Sequence, residues 1–183
     1  MKAEDEEILK LISSEKLDQG FALLVRQYQE QLYWHIRRMV TFHEDADDVL
    51  QNTFIKIYKG INKFNADSKL YTWMYRIATN ESLNFLKKKS RFRSDSDGLI
   101  ALEERLVADA YFDEQIAYVE LQKAISLLPD KQKAVFNMRY FEELTYKDMS
   151  EVLGTSTGAL KASYHHAVKK VEDYLSNKPL NVG

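Results

Sequence analysis

Cysteine is absent from this chain, which rules out a disulfide and any thiolate metal site and suits a reducing cytoplasm. Two prolines and six glycines are too little turn material for a protein of many short strands. No run of about 18 apolar residues occurs, and no apolar core follows a basic N-terminus, so neither a membrane span nor a secretory signal is expected. A large excess of one charge is missing too. The formal net charge is −2, whereas a protein that binds nucleic acid alone is usually basic. What the chain has is 45 % apolar residues, enough to build cores, arranged at helical spacing with almost no alternation. It is expected to be all-α.

The small net charge hides a steep local pattern. Residues 69–93 carry seven basic side chains against one acidic, while residues 94–120 carry eight acidic against one basic. A basic block beside an acidic one points to two surfaces with opposite demands.

The periodicity predicts four N-terminal helices, near 4–13, 21–40, 44–60 and 69–89. Asp18 is expected to cap the second. The third carries Val49, Leu50, Phe54, Ile55 and Ile57 on its apolar face, behind an acidic first turn that complements the helix dipole. Residues 91–113, which include Arg93-Ser94-Asp95-Ser96-Asp97-Gly98, read as a flexible acidic linker with a fluctuating helix around 102–107. A second unit follows over 114–176: one helix to Leu128, another from Asp130 to Phe141 after Pro129, then a last pair, with a frayed tail from Ser176. The expectation is two small helical domains, 1–90 and 114–176.

The last pair is the clearest motif. Thr145 is placed to cap a helix that carries Met149, Val152 and Leu153, with Gly154 as its left-handed C-terminal residue. Ser156 then caps a helix in which Leu160, Tyr164 or Ala167, Val168 and Val171 recur at helical spacing. Two helices joined by a three- to four-residue turn containing glycine form a helix-turn-helix, whose second helix enters a major groove. An ordinary helical hairpin would look similar. From Thr155 to Lys170, however, there are three lysines and no acid. Thr157, Lys161, Ser163 and His165 lie early enough in that helix to approach base edges.

The segment 71–89 is the second motif. Leu70, Trp73, Met74, Ile77 and Leu86 can face inward, leaving Tyr71, Tyr75, Asn80 and Asn84 on another flank. Lys87, Lys88, Lys89 and Arg91 end it. Lysines here also complement the dipole, and helical aromatics are often core. Aromatic faces, amides and clustered cations are nonetheless what a single-stranded nucleic acid needs.

Asp45-Ala46-Asp47-Asp48-Val49-Leu50-Gln51-Asn52-Thr53-Phe54, then Thr72-Trp73-Met74-Tyr75-Arg76-Ile77-Ala78-Thr79-Asn80, a basic end, a linker, Leu128-Pro129 and a helix-turn-helix occur in that order. The arrangement resembles the extracytoplasmic-function (ECF) group of bacterial RNA polymerase sigma factors, over about 10–90 and 115–175. The wording from Gly158 to Ala167 is similar to members from Bacteroidetes-type bacteria. The resemblance implies that Asp48, Gln51, Asn52 and Ile55 dock on the polymerase β′ clamp. It implies that Phe64, Asn65, Ser68 and Lys69, with Tyr71, Trp73, Tyr75, Arg76, Asn80, Asn84, Lys87, Lys88, Lys89 and Arg91, open and read the −10 promoter element. It gives the −35 element to Thr145, Ser156, Thr157, Gly158, Lys161, Ser163, Tyr164, His165 and Lys169. The linker matches a segment that threads the polymerase near its RNA exit, against the β subunit. Many members carry Arg where Ser163 and His166 stand here, so another member's promoter preference does not transfer. The implied partners are core RNA polymerase and promoter DNA, with room for a membrane-bound anti-sigma factor. The free protein is expected to be a cytoplasmic monomer with no cofactor or metal.

Two other functions compete. A ligand-sensing regulator would need a concave apolar pocket and dimeric operator binding, and it leaves 73–89 unexplained. An enzyme would be marked by a Gly-rich phosphate loop, a cysteine or a His/carboxylate set at metal spacing; none is present, and adjacent His165 and His166 point to different sides of a helix.

Overall fold

The computed structural model describes residues 3–65, 67–90 and 116–177, and these are helical or in short connections, with no strand among them. The helices are α1 (Ala3–Ser13), α2 (Leu17–Val40), α3 (His43–Gly60), α4 (Leu70–Ser90), α5 (Ile116–Ser126), α6 (Asp130–Tyr140), α7 (Tyr146–Leu153) and α8 (Thr157–Ser176). A 3₁₀ turn, Ile61–Lys63, follows α3. The expected linker 91–113, its helix at 102–107 and the tail beyond Asn177 lie outside the described residues.

In the first unit, α2 presents Leu24, Tyr28, Leu32, Ile36 and Met39 as one buried stripe at three- and four-residue steps. α1 lies so close against it that a Cβ on Gly20 would stand 2.8 Å from Ile12 Cγ1 and 3.1 Å from the Ile8 carbonyl oxygen. Glycine is required there by the approach of two backbones. α3 buries Ala46, Val49, Thr53 and Ile57. Thr53 is accommodated because its hydroxyl donates to the Val49 carbonyl at 2.7 Å. The expected cap of α2 is corrected. Lys16 occupies the N-cap, and Asp18, in the first turn, accepts a hydrogen bond from the Tyr58 hydroxyl at 2.9 Å.

The helix-turn-helix forms as its local chemistry dictates. Thr145 accepts from the Asp148 N–H, Gly154 adopts φ 61°, and Ser156 accepts from the Ala159 N–H. A Cβ on Gly154 would meet nothing within 4 Å, so only the left-handed backbone penalises a side chain there. Gly154→Ala should therefore cost about 1 kcal/mol, which a thermal melt should read as a fall of roughly 2–4 °C. An unchanged melting temperature would show that the turn adapts.

The two units share a core, which the sequence did not suggest. Ala124, Ile125, Leu128, Phe136, Ala167 and Val171 form a separate cluster within the second unit. Ala134, Val135 and Met138 of α6, Met149 and Val152 of α7, and Leu160 of α8 instead join the buried residues of α2, α3 and α4. α4 is thus covered on two sides, which explains why Leu70, Thr72, Met74, Tyr75, Ala78, Thr79 and Ser82 are all buried on one helix.

Candidate nucleic-acid interface

The two caps and Gly154 fix how α8 leaves the turn. Thr145 caps α7, its hydroxyl accepting from the Asp148 N–H at 3.1 Å while donating to the Asp148 carboxylate at 2.7 Å. Burial works against the Asp148 charge, but hydrogen bonds from Thr145, Tyr71 and Lys69 hold its carboxyl below the usual range. Leu160, Ala167 and Val171 are the buried side of α8. Thr157, Lys161, His165 and Lys169 recur every fourth residue on the exposed side, beside exposed Gly158. Ser156 is exposed as well, with its hydroxyl occupied as a cap.

Two expected readers lie elsewhere. Tyr164 is half-buried and packs between the two cores, its ring 6.0 Å from Phe136. Its phenol pKa is raised, chiefly by burial and then by Tyr146. Ser163 is half-buried, because a residue two steps from Lys161 lies across the helix from it. Sequence reasoning passed over Ala162 and noted His166 only as a place where many members carry Arg; both are exposed beside the basic stripe. Their signal was their place one residue beyond Lys161 and His165.

On α4 the expected residues divide in two. Asn80 and Asn84, one turn apart, and Lys87 and Lys88 are exposed. Below them Phe64 packs on Trp73, ring centroids 5.4 Å apart, and Trp73 lies 3.2 Å from where a Gly60 Cβ would be. Trp73 is half-buried against Phe64; Asn65 is exposed and bonded to Asp67, and Ser68 is half-buried. Lys89 is not a free cation. It pairs with Asp45, and its ammonium lies 5.2 Å from the Phe42 ring centre and 5.5 Å from that of Phe85. Arg91 lies outside the described residues.

Lys69, Tyr71, Tyr75 and Arg76 form the other group and meet the second unit. Lys69 donates to Asp148 at 3.1 Å, which raises its pKa; the nearby Tyr71 phenol raises it further. Arg76 donates through Nε to the Glu151 carbonyl at 2.9 Å, in the last turn of α7. Tyr75, expected on an open flank, is 7 % exposed and lies against His35, ring centroids 4.7 Å apart. Burial first, and Glu142 second, push its phenol pKa upward.

A third surface is on α3. Asp48, Gln51 and Asn52 are exposed, with the Asn52 amide donating to the Asp48 carbonyl at 2.9 Å. Ile55, expected on the buried face, is 45 % exposed beside them. A large aliphatic side chain in water among amides and a carboxylate has the make-up of a protein-docking surface. Tyr58, one turn on, is 39 % exposed and was not singled out from the sequence.

Among the described residues no group of three or more His, Asp or Glu is placed to hold a metal ion. No described helix is long and apolar enough to cross a membrane.

Family models for Sigma-70 region 2 and for Sigma-70, region 4 match residues 24–92 and 118–171. The ECF RNA polymerase sigma factor SigW of Bacillus subtilis is 32 % identical over 156 residues, 80 % of this chain and 83 % of that protein. The ECF RNA polymerase sigma-E factor of Haemophilus influenzae is 30 % identical over 173 residues, 87 % and 91 % of the two chains. Among solved structures, CnrH in complex with the cytosolic domain of CnrY superposes with a TM-score of 0.70 at 20 % identity, covering 96 % of this chain and 99 % of that one. The sigma factor RpoE of Bartonella quintana, in complex with the anti-sigma factor NepR, gives 0.67 at 18 % identity over 88 % and 99 %. These two likenesses show the fold.

Proposed function

The chain belongs to the sigma-70 family of RNA polymerase sigma factors, in the ECF group, and from that premise we propose how its residues share the work of promoter-specific transcription initiation. A sigma factor of this family is a non-catalytic initiation factor that joins core RNA polymerase and promoter DNA. Residues 1–90 dock on the polymerase clamp through Asp48, Gln51, Asn52 and Ile55. The same unit opens the −10 element and holds its unpaired strand. Asn80 and Asn84 offer amide donors and acceptors to an extruded base beside the 64–69 loop, and Lys87 and Lys88 take phosphates. Residues 114–176 read the −35 element, and 91–113 connect the two. The protein itself carries out no chemistry and acts in the cytoplasm as a monomer until polymerase, or an anti-sigma factor of the class that RpoE holds, engages it.

The observation that carries this reading is the α8 stripe. Thr157, Lys161, His165 and Lys169 stand on one exposed side of a helix capped by Ser156, away from its buried anchor. Lys161 is suited to the O6/N7 pair of a guanine, a contact worth about 1–3 kcal/mol of discrimination. Lys161→Ala or His165→Ala holoenzymes, offered a randomised −35 element, should select a different motif while recovering polymerase normally. Selection of the wild-type motif at equal relative affinity would remove the reading role from this side of α8.

A further inference from the structure

An exposed lysine reads a base poorly unless something holds it. Its four-carbon stem turns freely, and its ammonium is a point charge whose donors suit a phosphate as well as a base edge. Lys161, the guanine reader assigned to α8, is held. Its ammonium stands 5.7 Å from the centre of the Tyr146 ring, within the reach of attraction between a cation and an aromatic face. Lys161 belongs to α8 and Tyr146 to the first turn of α7, so the contact crosses the helix-turn-helix from one helix to the other.

The ring is itself braced. Tyr146 is half-buried and packs against the shared core along the seam between the two units. Arg139 of α6 reaches the same ring, its guanidinium carbon 5.5 Å from the ring centre. That guanidinium is tied down in turn, donating to the Leu144 carbonyl at 3.1 Å. Tyr164 of α8 is near enough for Tyr146 to add to the rise that burial gives its phenol pKa. Side chains of three helices thus gather around one ring, and of these four Lys161 alone is exposed. His165, the next residue of the stripe, has a different neighbour: His166 of its own helix, ring centres 6.0 Å apart.

We propose that Tyr146 is a positioning residue for promoter reading: its ring holds the Lys161 ammonium in place and so sets how strictly the stripe selects the base that Lys161 meets. The inference rests on the assignment of Lys161 to the −35 element. An ammonium has three donors, so resting on the ring leaves donors free for the O6 and N7 acceptors of a guanine. Attraction to a tyrosine face at an exposed site favours the held position about two- to fivefold. That margin is small beside the whole affinity of a holoenzyme. It bears directly on the choice of base, because a lysine that swings away meets a neighbouring phosphate and loses its preference. Tyr146 touches no base; it acts through Lys161.

Full-length holoenzymes of the wild type, Lys161→Ala, Tyr146→Phe, Tyr146→Leu and the Tyr146→Leu/Lys161→Ala double variant test this against a randomised −35 element. Tyr146→Phe keeps the ring and should select the wild-type motif. Tyr146→Leu keeps apolar packing and removes the aromatic face. It should lose about two- to fivefold of preference at the one base position where Lys161→Ala loses it, with the other positions unchanged. Adding Tyr146→Leu to Lys161→Ala should change nothing further. An unshifted motif in Tyr146→Leu, a loss spread over all positions, or a loss that adds to that of Lys161→Ala would overturn the positioning role while leaving Lys161 as a reader. An unaltered motif in Lys161→Ala would instead remove the base-reading assignment, and this inference with it. A nuclear magnetic resonance measurement on the free protein covers the case in which Tyr146→Leu misfolds. The ring should displace the Lys161 ε-methylene protons upfield of those of Lys169, in Tyr146→Phe as in the wild type, and equal shifts for the two lysines would refute the contact.

Discussion

Ile55→Lys should reduce recovery of core polymerase by about thirtyfold, the equivalent of the 2 kcal/mol that marks a residue at the centre of an interface. The side chain is 45 % exposed, so no core is disturbed. A lysine at this site keeps the helix propensity of α3 while placing an ammonium where a clamp surface would close over an aliphatic group. Its neighbours Asp48, Gln51 and Asn52 are exposed and can supply the polar rim around it. The measurement is a pull-down of core polymerase at matched concentration, with helical content checked by circular dichroism. Undiminished recovery would mean that polymerase docks elsewhere.

Leu160→Asp should have the opposite character: full loss of the second unit, with the polymerase-docking surface left untouched. Leu160 is 1 % exposed and belongs to the shared core together with Met149 and Val152. Removing a buried leucine costs about 2–5 kcal/mol, and a carboxylate at the same place must be desolvated or protonated as well. A domain has only about 5–15 kcal/mol of stability to lose. The variant should therefore lose protection of 116–177 in limited proteolysis and all binding to a −35 duplex as holoenzyme. Leu160→Met, which conserves volume, should cost less than about 1.5 kcal/mol and keep both properties. A protease-resistant Leu160→Asp variant would show that the helix can turn the residue outward.

How much of this was legible depended on how far each signal reaches along the chain. The helix-turn-helix was legible in detail because Thr145, Gly154 and Ser156 act within three residues of themselves. The exposed side of α8 followed from its periodicity, apart from Ser163, half-buried across the helix from Lys161, and Tyr164, whose partner Phe136 lies in α6. α4 was harder. Periodicity marks one buried stripe, and α4 has two because α6 and α7 cover a second side. Tyr75 consequently lies in the seam rather than on a flank. Lys89 resembled its two neighbours until Asp45, 44 residues away, was found beside it. The seam pairs are more distant still. His35 and Glu142 are separated by 107 positions, Lys69 and Asp148 by 79, and Arg76 and Glu151 by 75. No local pattern announces pairs of that kind, and each residue alone reads as an ordinary polar side chain in water or a hydrogen-bonded buried histidine.

The shared core also has a consequence for the protein's life in solution. When the units part, Val135, Met138, Met149 and Val152 lose the helices that cover them, and a contiguous apolar surface of that size is prone to self-association.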